Sequence, residues 1–210
     1  MSIDTDRSEQ ITDPATALDL LLAGNARFVT GAGLHPNQDA DRRAAVAAGQ
    51  RPFAVLFGCS DSRLAAEIIF DRGLGDLFVV RTAGHVVGPE VLGSIEYAVS
   101  LLETPLVVVL GHDSCGAVTA SLDALRDGTL PTGYVRDLVE RVMPSAIAAR
   151  QTAPDDLGAA VTEHVRYTTD LLVQRSDVIA ERVADGRCGV VGLTYKLAEG
   201  SVHRVAAHGV

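Results

Sequence analysis

The segment PFAVLFGCSDSR, residues 52–63, joins a continuous apolar run to a group of polar residues that are able to bind a metal. Residues 53–57 carry no polar side chain, and Gly58 ends the run. Continuous rather than alternating apolarity is typical of a strand covered on both faces, as in a parallel sheet. Cys59 and Asp61 follow directly, so the segment predicts a buried strand with metal-binding side chains at its carboxyl end.

Three further apolar runs, at residues 77–80, 106–110 and 189–193, continue this pattern, with helical segments between them. This order predicts an α/β fold with a mostly parallel central sheet of about four strands, helices on both faces and right-handed crossovers. The turn sequence AEGS at residues 198–201 precedes the stretch VHRV at residues 202–205. It predicts one more strand, antiparallel, at the C-terminal end of the sheet.

The chain is 210 residues long, which suits one domain with a single core. We expect a disordered tail over about residues 1–12, an N-terminal helical arm over residues 14–50 and an α/β core over residues 51–210. The Asp-Pro pair at 13–14 predicts the start of the arm, since aspartate is a good N-cap and proline suits the first helical position. Residues 117–184 are expected to be helical.

Proline and glycine predict where that long helical region is interrupted. Breaks are expected near residues 128–131, at Pro144 and at Pro154, because proline disrupts a helix interior.

Composition excludes several classes of function. The net charge is −9, with 18 Lys and Arg against 27 Asp and Glu, so the chain lacks the basic surface of a protein that binds nucleic acid or an anionic membrane. The polar N-terminus has no secretory signal, and no apolar run approaches the roughly 20 residues needed to span a bilayer. Three cysteines, an odd number, argue against a disulfide framework. These features predict a cytoplasmic protein.

A second polar group, GHDSCG at residues 111–116, follows the third apolar run. His112 and Cys115, together with Cys59 and Asp61, provide the thiolates, imidazole and carboxylate that zinc accepts at a tetrahedral site. Ligands in open α/β sheets bind at the carboxyl ends of strands, where the strand order reverses. If the first and third strands are neighbours, the four side chains converge there.

Each of these residues also has a simpler interpretation when taken alone. Asp61 suits the N-cap of a helix beginning near Ser62, an isolated cysteine is often a buried small residue, and His112 suits a hydrogen-bonded loop. The occurrence of both motifs after buried strands favours the zinc site. Arg63 offers Asp61 an alternative partner to the metal, or it is a surface arginine paired with another acid.

The remaining histidines and the third cysteine carry weaker signals. His85 follows the second strand and is expected to face the same crevice, whereas the other histidines are expected at the surface or in loops. These are His35, His164, His203 and His208. Cys188 precedes an apolar strand and is expected to be a buried structural thiol.

The paired motifs CSDSR and GHDSCG resemble those of the β-class carbonic anhydrases. The similarity extends through residues 67–71, 76–81 and 93–98, and covers the chain from the first helix to the last strand. Among the members of this class, the chain looks most like the actinobacterial, mycobacterial-like ones.

The resemblance implies one Zn²⁺ per subunit, bound by Cys59, His112 and Cys115. The fourth ligand in the family is either water or the aspartate, here Asp61, which then closes the site. The family's catalytic Asp–Arg dyad corresponds to Asp61 and Arg63. The implied reaction is reversible hydration of carbon dioxide to bicarbonate and a proton by zinc-bound hydroxide, with the dyad orienting the nucleophile and gating the metal.

The resemblance also implies a homodimer, often paired into a homotetramer, with active sites at the dimer interface. Gln38, Phe78, Tyr97 and Gly116 would line the substrate pocket. Members regulated by a non-catalytic bicarbonate site carry a tryptophan where this chain has Leu56, and the chain contains no tryptophan, so that regulation is not implied. Two alternatives stay open from sequence: hydrolysis of carbon disulfide or carbonyl sulfide on the same zinc, and a structural zinc protein without catalysis.

Overall fold

The computed structural model describes residues 11–210, and its centre is a five-stranded sheet in the order β2-β1-β3-β4-β5. The first four strands run parallel and β5 runs antiparallel to β4. This confirms the predicted α/β fold with a C-terminal antiparallel strand. The strands are β1 (Ala54–Cys59), β2 (Leu77–Thr82), β3 (Leu106–His112), β4 (Gly189–Tyr195) and β5 (Val202–His208).

Helices cover both faces of the sheet. Alternate residues of β1 belong to two separate apolar clusters: Ala54 and Leu56 lie in one, and Val55 and Phe57 in the other. All four are buried, as continuous apolarity predicted. Within the described residues the helices are α1 (Pro14–Thr30), α2 (Ala40–Ala45), α3 (Ala66–Ile69), α4 (Pro89–Ser100), α5 (Gly116–Asp127), α6 (Val135–Arg150), α7 (Leu157–Arg175) and α8 (Asp177–Ala184), with a 3₁₀ turn at Ala83–His85.

The N-terminal arm begins as its sequence predicts. Asp13 caps α1 by accepting a hydrogen bond from the backbone N–H of Thr16 at 2.8 Å, and Pro14 is the first helical residue. Leu18 and Leu21 of α1 are buried in the core. The tail expected over about residues 1–12 lies, for residues 1–10, outside the described part of the chain.

The helical region before β4 is interrupted at two of the three places predicted: residues 128–134 separate α5 from α6, and residues 151–156, which include Pro154, separate α6 from α7. Pro144 lies inside α6, so the break expected there is wrong, and its neighbours Ser145 and Ala146 are buried against the core. Packing on both sides of α6, against α5 and α7, therefore outweighs the backbone hydrogen bond that proline cannot make. A break that the sequence did not signal separates α7 from α8 at Ser176, whose hydroxyl caps α8 through the backbone N–H of Ile179.

The strand order places the two sequence motifs side by side. Strand β1 pairs with β2 on one side and β3 on the other, so the order reverses between β1 and β3. The pairing of Gly58 with Leu110 brings the carboxyl ends of β1 and β3 to the same edge of the sheet. This is the switch point at which α/β proteins bind ligands. No helix over residues 11–210 is long and apolar enough to cross a membrane.

Candidate metal centre

Three side chains meet at the switch point. One potential ligand atom from each of Cys59, His112 and Cys115 lies within 4.8 Å of the other two, and all three residues are buried. Cys59 ends β1, His112 ends β3, and Cys115 lies immediately before α5. The predicted convergence of the two motifs is therefore present. A buried set of two sulfurs and one imidazole nitrogen matches the ligand preference of zinc.

The orientation of His112 is fixed by its backbone neighbour. Its Nδ1 lies 2.8 Å from the carbonyl oxygen of Asp113, and this oxygen can only accept a hydrogen bond, so Nδ1 carries the proton. Nε2 is then the unprotonated nitrogen of the neutral ring. It is enclosed and has no hydrogen-bond partner in the described structure. This tautomer directs a free lone pair at the two cysteines, as a metal ligand requires.

The two thiols influence each other's ionisation. The hydrogen bond from Cys115 lowers the pKa of Cys59 to about 4, and His112 contributes in the same direction. The same contact with Cys59 raises the pKa of Cys115. Burial lowers the pKa of His112, but the nearby sulfur of Cys59 with its negative charge and the carbonyl oxygen of Asp113 outweigh burial and raise the pKa above its usual value. The ionisation of Cys59 therefore depends on both Cys115 and His112.

Asp61 lies beside this cluster but contacts Arg63. The guanidinium donates through Nε to Oδ1 at 2.9 Å and through an Nη atom to Oδ2 at 2.7 Å, and the backbone N–H of Arg63 also donates to Oδ1. The hydrogen bonds from Arg63 hold the pKa of Asp61 well below its usual range. Oδ2 of Asp61 is 3.9 Å from Nε2 of His112.

Arg81 holds the backbone of the first motif in place. It donates from Nε to the carbonyl oxygen of Cys59 at 3.0 Å and from an Nη atom to that of Asp61 at 2.6 Å. The N–H of Ser60 also donates to the carbonyl oxygen of Thr82. These bonds connect the CSDSR segment to the end of β2. They fix the backbone position of Cys59 and Asp61.

The four residues expected around a substrate pocket have different surroundings. Phe78 on β2 stacks on Tyr97 of α4, with ring centroids 6.2 Å apart. Gly116 begins α5 next to Cys115, and the position of a Cβ on it is open space. Gln38 is exposed, and its side chain donates to the carbonyl oxygen of Arg72 at 3.3 Å rather than to any residue of the cluster.

Two histidines lie elsewhere than the sequence indicated. His164 is 1% exposed, so its expected surface position is wrong: it is on the inner face of α7. His85 is fully enclosed rather than facing an open crevice, and its ring lies against that of His164 with centroids 4.3 Å apart and the ring planes tilted by 38°. Burial lowers the pKa of His85 well below its usual value. Both rings are buried in the protein interior next to the cluster of Cys59, His112 and Cys115.

Sequence reasoning missed Arg81, Gly84 and His164 as neighbours of the site. A charged residue ending an apolar strand was a usable signal for Arg81, because such a residue needs a partner. The N–H of Gly84 donates to Sγ of Cys59 at 3.3 Å, and the carbonyl oxygen of Gly84 is bonded to His164. Nothing in the sequence around His164, 80 positions from Gly84, indicates that contact.

Comparison with known proteins gives one consistent result. The family model described as carbonic anhydrase matches residues 54–202. "Carbonic anhydrase 2" of Mycobacterium tuberculosis is 58% identical over 189 residues, which is 90% of this chain and 91% of that protein. A "Carbonic anhydrase" of Mycolicibacterium smegmatis is 55% identical over 191 residues, covering 91% and 93% of the two chains.

Solved structures agree with the fold. The structure described as "The structure of the beta-carbonic anhydrase CcaA" superposes with a TM-score of 0.71 at 26% identity and covers 90% of this chain and 87% of that one.

Proposed function

The chain belongs to the β-carbonic anhydrase family and is a carbonic anhydrase, and we propose that it hydrates carbon dioxide reversibly to bicarbonate and a proton with one zinc ion per subunit. In this proposal the metal is held by Cys59, His112 and Cys115. The observation that carries it is the buried cluster of two sulfurs and one imidazole nitrogen at the switch point of the sheet.

The donor atoms fit zinc in their chemical type and in their protonation state. The enclosed Nε2 of His112 has no hydrogen-bond partner among the residues described, and such an atom is costly unless something binds it. Cys59 has a depressed pKa, so it is a ready thiolate ligand. Tetrahedral zinc accepts two thiolates and one imidazole, with the fourth position open in catalytic sites.

Zinc, when bound, lowers the pKa of a water to about 7 and so supplies a nucleophile near neutral pH. The chain's own contribution begins with Asp61. Because Arg63 fixes both carboxylate oxygens, Asp61 is ionised and held still, so it can accept a hydrogen bond from the nucleophile and aim its lone pair at carbon dioxide. His85 is enclosed, so the released proton leaves by another route to solvent.

We also propose that Asp61 gates the site. Its carboxylate is 3.9 Å from Nε2 of His112, close enough for a small rotation to place it on the metal as a fourth ligand. With Asp61 on Arg63 the site is open, and with Asp61 on the metal it is closed. Hydroxide competes better for the metal as the pH rises, so the open form and the activity should increase with pH.

For the substrate pocket and the assembly we propose the arrangement that the family resemblance implies. Gln38, Phe78, Tyr97 and Gly116 line the path of carbon dioxide, in active sites that lie at the dimer interface. The support for a homo-oligomer is the edge of the sheet at β2, whose apolar side chains are only half buried in one chain. A cytoplasmic location is proposed with it, because its three free cysteines suit a reducing compartment.

Substitution of Cys115 by serine tests the ligand set. Cys115→Ser should lose zinc and reduce hydration more than about 100-fold, because a missing ligand costs more than a missing outer partner. Stopped-flow hydration of carbon dioxide and metal analysis of the same sample measure the two effects. Cys188→Ser is the matched control, since Cys188 is equally buried but lies immediately before β4, away from the cluster.

Stoichiometric zinc in Cys115→Ser would show that the ligand assignment is wrong. Wild-type protein that retains zinc yet hydrates no carbon dioxide between pH 6 and 9 would contradict the catalytic role. Sulfide release from carbon disulfide, measured on the same sample, would then identify the alternative hydrolase.

A further inference from the structure

A buried chain of hydrogen bonds joins two helices to one proposed zinc ligand. The hydroxyl of Ser145 on α6 is 3.0 Å from Nδ1 of His164 on α7, and Nε2 of His164 is 2.8 Å from the carbonyl oxygen of Gly84. The N–H of Gly84 then donates to Sγ of Cys59 at 3.3 Å. Ser145 and His164 are each 1% exposed, so water does not compete for these bonds.

The direction of each bond follows from what the groups can donate. The carbonyl oxygen of Gly84 only accepts, so Nε2 of His164 carries the proton and Nδ1 accepts from the hydroxyl of Ser145. Burial lowers the pKa of His164 to about 4, so the ring is neutral at neutral pH and holds this single tautomer.

Gly84 has a backbone conformation that needs outside support. Its φ of 66° and ψ of 18° lie in the left-handed region, and a Cβ there would be 2.6 Å from that of Ala117. Ala117 follows Cys115 by two residues. Gly84 therefore lies in contact with both Cys59 and the segment that carries Cys115. The carbonyl group and the N–H of Gly84 belong to adjacent peptide planes that meet at its Cα, so the bond from His164 restrains the residue whose N–H donates to Cys59.

We infer that Ser145 and His164 are positioning residues for the metal centre, which act on Cys59 through the backbone of Gly84. The inference rests on the proposed function, in which Cys59 binds the metal. An N–H group that donates to a thiolate withdraws negative charge from the sulfur. Less charge donated to the metal leaves it a stronger Lewis acid, and the fixed Gly84 peptide also holds the sulfur in place.

Cobalt(II) in place of zinc makes this effect visible, because sulfur-to-cobalt charge-transfer bands report the electron density on the thiolates. The variants are Ser145→Ala, His164→Leu and His164→Gln, measured on the full-length protein. Thr168→Val is the matched control: Thr168 is one turn further along α7, is 1% exposed and makes no side-chain hydrogen bond within residues 11–210.

We expect His164→Leu to shift the charge-transfer bands to longer wavelength and to release cobalt to a chelator about tenfold faster than wild type. Ser145→Ala should shift both readouts in the same direction by less, and His164→Gln, which keeps an N–H donor, should lie closer to wild type than His164→Leu. Thr168→Val should match wild type. If His164→Leu does not fold, Ser145→Ala and His164→Gln decide the question.

Unchanged bands and release rates in Ser145→Ala and His164→Leu would overturn the inference, as would an equal change in Thr168→Val. A failure of the proposed function looks different, because wild-type protein itself would then bind no cobalt or show no sulfur-to-cobalt bands.

Discussion

At the scale of single residues, the pair formed by Asp61 and Arg63 gives the metal centre its chemical character. Two bonds from the guanidinium and one from the backbone N–H leave the carboxylate little freedom while it remains on Arg63. Since these bonds hold its pKa far below neutrality, Asp61 stays ionised at every pH at which the enzyme is assayed. Any change in activity between pH 6 and 9 must then come from another group, such as the nucleophile.

The pH profile of the wild-type enzyme and of Arg63→Ala tests the gate. We expect wild-type hydration to rise from pH 6 to 9, over the range in which a zinc-activated water titrates. Arg63→Ala removes the partner that draws Asp61 off the metal, so its activity should be lower, about 10-fold or more near neutrality, with the rise displaced to higher pH. Stopped-flow rates at constant ionic strength measure both.

Arg126→Ala is the control, because Arg126 pairs with Asp123 and Asp127 on the surface of α5. A flat wild-type profile over this window would refute the gate.

At the scale of secondary-structure elements, one buried polar side chain of helix α1 forms hydrogen bonds to two other elements. The amide of Asn25 donates to the carbonyl oxygens of Ile69 and Gly200, and its own oxygen accepts from the N–H of Val202. These bonds connect the arm to α3 and to the start of β5. Asn25 is 5% exposed, so the three backbone groups depend on it rather than on water.

Asn25→Ala should therefore destabilise the fold by about 2–4 kcal/mol, because it leaves three backbone groups, two of them buried, without this partner. Urea unfolding at fixed protein concentration measures the change. Asp19→Ala, an exposed change on the same helix, should lie within about 0.5 kcal/mol of wild type. Equal midpoints for the two variants would show that α1 does not depend on Asn25.

At the scale of the whole molecule, one edge of the sheet is formed by a strand, β2, that has a neighbour on one side only within residues 11–210. Strand β2 pairs only with β1 in the described chain, and its apolar residues are half buried. Beside this edge, Tyr97 of α4 is 46% exposed. Leu101, the residue directly after α4, is 69% exposed. An unpaired apolar edge strand favours addition of another chain. This is the surface on which we expect the proposed homo-oligomer to form.

Sedimentation should therefore give the mass of two or four chains. Leu101→Glu places a charge on this surface at little cost to one folded chain, because the side chain is already exposed. It should shift the mass towards a single chain and reduce hydration in parallel. Tyr134→Lys, beside α6, is the control and should keep the wild-type mass. A fully active wild-type protein with the mass of one chain would contradict the assembly.

The sequence by itself determined the parts of this protein that depend on local pattern. Continuous apolar runs defined the buried strands, and the motifs at residues 59–63 and 111–116 indicated the metal cluster, since both follow such runs directly. The buried position of Cys188 was predictable for the same reason. Hydrophobic periodicity and turn chemistry act over a few residues, so a sequence displays them.

Only the tertiary structure decided which partners distant residues take. It buried His164 against Gly84, kept Pro144 inside α6 and braced Cys59 through Arg81. It also placed Asp61 on Arg63, where the sequence allowed a helix cap, a metal ligand or a salt bridge. These outcomes depend on distances between elements far apart in the chain. Such distances are set when the whole core packs, which no local pattern encodes.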